Sequence, residues 1–165
     1  MARYENLPYR LCVGTMVLNR DGRVFVGRRF DGPEGVDVNH PWQMPQGGVD
    51  PGEDPYPAAL RELAEETNIT SVKLLAEAPE WFTYDLPPEL VRHAWGGRYR
   101  GQKQKWMAMR FLGHDAEINI QTAEPEFAEW KWLAVEALPR LIVPFKRDTY
   151  MKVISAFQDL AGPQA

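Results

Sequence analysis

The stretch that most constrains the fold of this chain runs from Gly47 to Ile69, GGVDPGEDPYPAALRELAEETNI. It joins a glycine-rich loop to a segment whose apolar residues recur at helical spacing. On a helix that turns about 100° per residue, the small and apolar residues fall within an arc of roughly 140°. The carboxylates of Glu62, Glu65 and Glu66 occupy a separate arc of about 100°. One helix face must therefore pack on a core, while the other presents carboxylates. The packing face comprises Ala59, Leu60, Leu63, Ala64 and Thr67.

The three glutamates on this face repel one another. Like charges three and four residues apart each disfavour a solvated helix by a few tenths of a kcal/mol, and by more in a cleft. A divalent cation would compensate, since hard oxygen donors suit Mg²⁺ or Mn²⁺. Arg61 offers partial compensation because it lies beside Glu65 and can reach back to Glu53. The alternative is an ordinary acidic face exposed to solvent. If the three glutamates are considered alone, this alternative is favoured over a metal site.

The loop before the helix, QGGVDPGED, favours the metal site instead. Gly47, Gly48 and Gly52 let the backbone approach a ligand closely, and Glu53 adds a fourth carboxylate. Glycines alone often make only a turn. Their combination with glutamates at fixed spacing predicts a site for a cation and an anionic ligand.

The spacing of these residues resembles the signature of the Nudix hydrolase family. The positions that carry the resemblance are Gly47, Glu53, Arg61, Glu62, Leu63, Glu65, Glu66 and Ile69. The chain departs from the signature at Asn68, where the family usually has glycine. Asparagine is the next-best residue for a left-handed helix C-cap, so we expect the helix to end there all the same.

The resemblance implies an α/β/α sandwich around a mixed β-sheet. It also implies hydrolysis of a nucleoside diphosphate linked to another group, with Mg²⁺ as cofactor and Mn²⁺ or other divalent cations able to substitute. Glu62, Glu65 and Glu66 would bind the metal together with the carbonyl of Gly47. Glu53 and Arg61 would hold the loop and the helix together.

The resemblance continues outside the signature and indicates one subgroup, the bacterial RNA pyrophosphohydrolases and the similar dinucleoside polyphosphate hydrolases. The implied reaction is attack of water on phosphorus, which splits diadenosine tetraphosphate into ATP and AMP or releases pyrophosphate from an RNA 5′-triphosphate. The sequence does not rank these substrates. The segments that carry this resemblance are RRF (28–30), WQMPQGG (42–48), YDLPPEL (84–90), GQKQKW (101–106), PEF (125–127) and FKRD (145–148).

The subgroup resemblance also implies roles for single residues. Glu126 of PEF would be a further metal ligand or the general base, or else an ordinary loop acid. Phe145 and Lys146 would stack on and hydrogen-bond a nucleobase, although Phe145 could instead be a core aromatic. Trp42 would line the pocket or close the core beneath it. Gln43 and Gln46 flank the glycine loop and are candidate substrate-binding residues.

Four basic residues are candidates for binding the phosphates, and each could also be a solvated charge. They are Arg10, Arg28, Lys103 and Lys105. Because side chains alternate along a strand, Lys103 and Lys105 should share one face and Gln102 and Gln104 the other. His40, His93 and His114 have no ligand spacing and are expected at the surface.

The rest of the chain predicts one layered domain over residues 1–165, with an ordered core from about residue 8 to residue 160. Asp21 and Gly22 suit a hairpin between strands at 11–18 and 24–28. Four further strands are expected at 72–76, 81–84, 105–112 and 130–133. Apolar residues from Tyr150 to Leu160 follow the three- and four-residue steps of an amphipathic helix. The Gly- and Pro-rich loop 31–41 is longer than expected and could reshape the mouth of the site.

Charge and cysteine content restrict the function further. A net charge of -4 argues against a protein that holds nucleic acid by bulk electrostatics. Cys12, in an apolar run, is expected to be a buried structural thiol. No export leader or membrane segment is evident, so we expect a cytoplasmic monomer that acts on a nucleotide or an RNA 5′ end without a membrane.

Two alternative functions stay open at this point. The scaffold would permit an ADP-ribose or sugar-nucleotide pyrophosphatase, although GQKQKW and FKRD disfavour it. The fold could also be kept by a non-catalytic module that binds a nucleotide or RNA. The intact carboxylate face argues against such a module, because a site without catalysis has no need of repulsive charges.

Overall fold

The structure, a computed structural model, describes residues 4–30 and 40–161. Within this part of the chain the strands are β1 (Tyr9–Leu18), β2 (Val24–Arg29), β3 (Trp42–Gln43), β4 (Gln46–Gly48), β5 (Val72–Glu77), β6 (Phe82–Asp85), β7 (Gly101–Phe111) and β8 (Phe127–Leu133). The α-helices are α1 (Pro55–Thr67), α2 (Pro88–Val91), α3 (Leu138–Leu141) and α4 (Arg147–Ala156). Short 3-10 turns occur at Tyr4–Asn6, Ala94–Gly97, Asp115–Glu117, Val135–Ala137 and Pro144–Lys146.

The eight described strands form one mixed sheet around β1 and β7. These two strands run parallel over ten residues, with Tyr9 opposite Gly101 and Leu18 opposite Arg110. The order through the centre is β3-β2-β1-β7-β5, while β4 pairs with β1, β6 with β7 and β8 with β2. The other pairings are antiparallel, so the mixed sheet that the family resemblance implied is confirmed.

The predicted β1–β2 hairpin is confirmed. Leu18 pairs with Val24 across the turn, and Gly22 adopts a φ of 78° that only glycine takes without strain. Beyond the turn the strands separate, and the first half of β1 pairs with β4 instead. This exchange of partners places the glycine loop against β1.

The two faces of the sheet carry separate apolar layers, as alternation along a strand requires. Met16 and Trp106 face a core completed by α4, whereas Val13 and Met107 face a core completed by α1. Helices therefore cover both faces of the sheet, and the α/β/α sandwich is confirmed. The residues that the spacing predicted for this face all pack on that core, namely Tyr150, Val153, Ile154, Phe157 and Leu160.

The predicted strands are present with shifted bounds. β7 begins four residues before the predicted start at Lys105, and β8 begins three residues before Trp130. Elements of two to four residues, β3, β4, α2 and α3, had no detectable period and were not predicted. The predicted role of the loop 31–41 falls on residues 31–39, which lie outside the described residues. Among the described helices, none has both the length and the apolar character needed to cross a membrane.

Helix α4 also fixes the chain that enters β4. The buried hydroxyl of Tyr150 accepts a hydrogen bond of 2.8 Å from the backbone N–H of Met44. One residue later, the carbonyl of Pro45 accepts a bond of 3.0 Å from the N–H of Thr15 on β1. The glycine loop therefore starts from a backbone position fixed by both α4 and the central strand.

Candidate active site

A cavity of about 1330 Å³ lies between four parts of the fold. They are the carboxylate face of α1, strand β4, strand β7 and the turn before α4. It collects residues that are far apart in the sequence. Its acidic side contains Gly47, Glu62, Glu65, Glu66 and Glu126. Its other side contains Arg10, Gln43, Gln46, Phe145 and Lys146. Ten of the sequence-predicted site residues therefore share one cavity.

Glu66 is the most buried carboxylate of the acidic side. Its side chain belongs to a residue that is only 5% exposed, and its Oε2 atom has no hydrogen-bond partner among the described residues. Burial raises the pKa of Glu66 well above its usual range, and the charges of Glu126 and Glu62 raise it further. A buried carboxylate oxygen without a donor is unstable when charged unless a cation neutralises it.

Glu62 lies directly against the glycine loop. A Cβ atom on Gly47 would overlap the Glu62 carboxylate, so a side chain at this position would displace it. Burial raises the pKa of Glu62, and Arg61, which donates a hydrogen bond of 2.9 Å to its Oε1, opposes that rise. Glu65, whose side chain is 58% exposed, accepts bonds of 3.3 Å from the same guanidinium.

Arg61 connects the loop to the helix. It donates hydrogen bonds of 2.8 Å to both carboxylate oxygens of Glu53 and one of 2.9 Å to the carbonyl of Gly48. These contacts with Arg61 lower the pKa of Glu53 to about 2. The predicted reach of Arg61 to Glu53 and Glu65 is confirmed, and so is the helix end, because Asn68 adopts the left-handed conformation at a φ of 62°.

The acidic side fits a divalent cation in its chemistry. Among the described residues, no group of three His, Cys, Asp or Glu side chains already converges at metal-ligand distances. Two of the three helix glutamates, Glu62 and Glu65, are instead bonded to Arg61. The unpartnered Glu66 oxygen, the adjacent Glu62 carboxylate and the Gly47 backbone offer an all-oxygen donor set, which suits a hard cation such as Mg²⁺.

The opposite side of the cavity is aromatic and basic. The rings of Tyr84 and Phe145 lie 5.8 Å apart between centroids. The Lys146 ammonium lies 5.6 Å from the Tyr84 centroid and 6.0 Å from the Phe145 centroid. This arrangement provides an aromatic surface with a cation beside it, as stacking and hydrogen bonding of a nucleobase require.

Arg10 lies between the two sides. Its guanidinium packs against Gly48, stands 5.4 Å from the ring centroid of Trp95 and donates a bond of 3.3 Å to the Cys12 sulfur. Cys12 is fully buried, and its burial raises the thiol pKa to about 11, so the predicted structural thiol is confirmed. Arg10 can therefore present a cation to an anionic ligand in the cavity.

Four predicted substrate-binding residues lie away from the cavity. Their side chains contact other residues instead. Lys103 and Lys105 lie on β7, where Gln102 faces the cavity, and because side chains alternate along a strand the two lysines point to the opposite face. The predicted separation of the lysines from the glutamines is confirmed. The contacts are Arg28 with Glu129 at 2.9 Å, Lys131 over Trp42 at 4.2 Å, Lys103 over Trp81 at 5.8 Å and Lys105 with Glu77 at 3.7 Å. Trp42 packs on the α4 side of the core.

The sequence did not identify several residues that line the cavity. Tyr84, Leu86 and Trp95 form part of its wall, and Gln102 part of its floor. Tyr84 and Gln102 lie in the segments YDLPPEL and GQKQKW, which indicated the subgroup but gave these two residues no role. A cavity wall has no periodic sequence pattern that would identify its residues. The histidines fit the surface prediction in part, because His93 and His114 are exposed and His40 is half-buried.

Comparisons with known proteins agree with this geometry. A family model described as NUDIX domain matches residues 8–153. The chain is 56% identical over 165 residues to the RNA pyrophosphohydrolase of Afipia carboxidovorans, covering 98% of this chain and 99% of that protein. It is 56% identical over 169 residues to the RNA pyrophosphohydrolase of Nitrobacter winogradskyi, covering 100% of this chain and 99% of that protein.

Two solved structures share the fold at lower identity. The Caenorhabditis Ap4A hydrolase (C. elegans, binary complex) aligns with a TM-score of 0.63 at 22% identity, over 91% of this chain and 98% of that chain. The E. coli dihydroneopterin triphosphate pyrophosphohydrolase aligns with a TM-score of 0.67 at 22% identity, over 88% of this chain and 96% of that chain.

Proposed function

The chain belongs to the Nudix hydrolase family, and we propose that it removes pyrophosphate from RNA 5′-triphosphate ends with the aid of Mg²⁺. Dinucleoside polyphosphates such as diadenosine tetraphosphate are the second proposed substrate, cleaved in the same site to ATP and AMP. The identity of more than half of all residues with relatives named RNA pyrophosphohydrolase supports the first substrate. The subgroup resemblance of the sequence supports the second.

One observation carries the proposal: the buried, unpartnered oxygen of Glu66 faces the same cavity as Phe145 and Lys146. The carboxylate requires a cation, and the aromatic side accepts a base. A substrate whose phosphates bind the cation while its base stacks on Phe145 would satisfy both. Nucleotides with a polyphosphate chain have this form.

Nudix hydrolases use divalent metal ions, and the proposed Mg²⁺ would be held by Glu62, Glu65, Glu66, Glu126 and the carbonyl of Gly47. When bound, it would neutralise the phosphates, polarise the phosphorus under attack and lower the pKa of water.

The protein's own residues would act as follows. Phe145 stacks on the base while Lys146 donates a hydrogen bond to it, and Arg10 binds phosphate oxygens. Glu126, exposed beside Glu66, either completes the metal ligands or accepts the proton of the attacking water. The water oxygen forms the new bond to phosphorus and the bridging phosphoanhydride bond breaks. Arg61 and Glu53 hold the loop and helix that carry these groups.

The proposal is tested by product analysis with the full chain in Mg²⁺. Triphosphorylated RNA, diadenosine tetraphosphate and ADP-ribose are supplied in parallel, and the products are separated by chromatography. We expect pyrophosphate and 5′-monophosphorylated RNA from the first substrate and ATP plus AMP from the second. Glu66→Gln, with the same protein concentration, is the matched control for contaminating hydrolases. Cleavage of ADP-ribose alone would instead support the sugar-nucleotide alternative and exclude the proposal.

The cytoplasmic location and the monomeric state remain predictions from the sequence. No specific observation in the cavity favours ADP-ribose or sugar nucleotides over RNA. A module that binds without catalysis is disfavoured by the burial of Glu66, which destabilises the fold unless a metal is used.

A further inference from the structure

Three side chains on one face of β7 form a hydrogen-bonded row beneath the cavity. Gln102, Gln104 and Trp106 alternate along the strand and therefore project to the same side. The Trp106 indole N–H donates to Gln104 Oε1 at 2.9 Å. The Gln104 amide then donates to Gln102 Oε1 at 2.6 Å and to Gln46 Oε1, on β4, at 2.8 Å.

The Trp106 indole determines which atoms of the three glutamine amides donate and which accept. An indole nitrogen can only donate, so the atom of Gln104 that meets it must be the carbonyl oxygen. The other end of the same amide is then the NH₂ group, and each of its two hydrogens is used by one glutamine carbonyl. Gln46 and Gln102 must consequently turn their oxygens toward Gln104.

Close packing keeps the Trp106 indole in this orientation. Its side chain is completely buried, and a Cβ on Gly14 would lie only 2.6 Å from the indole ring. The Tyr150 ring also packs edge-on against the indole, with the two ring centroids 5.7 Å apart. The position of the indole therefore fixes the orientation of the amide groups of Gln104, Gln102 and Gln46.

The consequence appears in the cavity, which Gln46 and Gln102 line and Gln104 does not. With their oxygens turned inward, both side chains present NH₂ groups to the cavity. Gln102 is only 3% exposed, and among the described residues neither NH₂ group has a protein acceptor. Two buried or half-buried donors without acceptors point to a ligand that is rich in acceptors.

The position of the two amides indicates which part of the ligand they meet. Gln46 precedes Gly47, and its backbone N–H interacts with Glu66 on the acidic side. Gln102 lies opposite Tyr84 in the sheet and beside Arg10 on β1. The donors therefore span the distance between the carboxylates and the aromatic wall.

We propose that Trp106, through Gln104, orients Gln46 and Gln102 as a neutral donor pair for the phosphate oxygens nearest the nucleoside. The inference rests on the proposed function, because it takes the aromatic wall as the base site and the acidic side as the metal site. Neutral donors suit this position, since they bind a phosphate without adding a charge that the nearby carboxylates would pair with. Trp106 and Gln104 are positioning residues, and Gln46 and Gln102 contact the ligand.

Gln104→Glu tests the orientation directly. A carboxylate still accepts from the indole, but it has no hydrogen to donate, so Gln46 and Gln102 would turn their NH₂ groups toward it and their oxygens toward the ligand. Binding of AMP and of adenosine to the full chain in Mg²⁺ is measured by titration calorimetry. We expect the Kd of AMP to rise about ten- to hundredfold and the Kd of adenosine to change by less than about twofold.

Gln104→Met controls for the charge that the glutamate introduces. Methionine has a similar length, leaves the two glutamines without an anchor and adds no charge. We expect a smaller rise in the Kd of AMP, about three- to tenfold, again with adenosine unchanged. Thermal unfolding of each variant identifies any that fails to fold.

Two results would overturn the inference. One is an equal weakening of AMP and adenosine, which would show that the amides contact the base or merely support the wall. The other is unchanged AMP binding in both variants. Failure of the proposed function is separate, since it would show as absent hydrolysis by the wild-type protein, whereas these titrations need no turnover.

Discussion

Arg61 donates hydrogen bonds of 2.8 Å to both carboxylate oxygens of Glu53, eight positions earlier in the chain. The same guanidinium donates to the Gly48 carbonyl and to Glu62, each at 2.9 Å. A planar group with five donors can bond to all of these at once. The position of the glycine loop relative to α1 therefore depends on one side chain.

Arg61→Lys should misplace that loop, because an ammonium cannot make the same fork of bonds. We expect a lower melting temperature and a kcat/KM at least about tenfold below wild type, since small displacements of catalytic groups reduce rates strongly. Arg20→Lys, at an exposed position, is the matched control. Wild-type activity in Arg61→Lys would show that the fork is dispensable.

Glu53 should make stability depend on acidity. Its folded pKa is lowered from 4.5 to about 2, so its contribution is present above the unfolded pKa and lost as the pH falls through the folded one. The melting temperature of wild type should exceed that of Glu53→Gln by a constant margin above about pH 5.5, and the margin should shrink at lower pH down to about 2. Thermal unfolding at intervals of pH measures it, and a margin that ignores pH would contradict the assignment.

Glu66→Gln should stabilise the metal-free protein while removing activity. The pKa of Glu66 is raised in the folded state, so its contribution is present below the unfolded pKa and lost as the pH rises. At pH 8 without metal, we expect the variant to melt above wild type. Mg²⁺ should raise the melting temperature of wild type only, and turnover of the variant should fall at least about a hundredfold.

Glu136→Gln, at an exposed position away from the cavity, is the matched control for Glu66→Gln. It should keep both the Mg²⁺-dependent rise in melting temperature and the activity. If Glu66→Gln behaved in the same way, the acidic side of the cavity would not be the metal site.

Phe145→Ala should weaken binding of the base. Loss of one stacked ring corresponds to about 1 to 3 kcal/mol, and so we expect KM to rise about five- to hundredfold with a smaller change in kcat. Leu112→Ala removes an apolar side chain that is 63% exposed, and it serves as control. An unchanged KM in Phe145→Ala would leave Phe145 as a core aromatic.

Arg10 and Lys103 should differ, although the sequence predicted the same role for both. Arg10 lines the cavity, so Arg10→Ala should raise KM about tenfold or more through loss of a charged hydrogen bond. Lys103 lies over Trp81 instead, and Lys103→Ala should change kcat/KM by less than about threefold. Parallel steady-state kinetics decide, and a large effect of Lys103→Ala would restore its predicted contact with phosphate.

The parts of the site that lie on a single helix and the loop before it were predictable from the sequence. The contacts of Arg61 and the left-handed Asn68 follow from positions along one helix and its loop. Lys103 and Lys105 were correctly predicted to share one face of their strand, but the sequence did not show that the opposite face meets the cavity. That choice depends on the curvature of the sheet and on the helices that cover it.

The sequence by itself determined that α1 has a carboxylate face beside a packing face, because the angle between residues on a helix is constant. Only the tertiary structure decided that the Oε2 atom of Glu66 would be buried without a donor and that Trp106 would orient Gln46 through Gln104. Burial and hydrogen-bond direction arise when separate elements exclude water from the same space, and spacing along the chain does not contain that information.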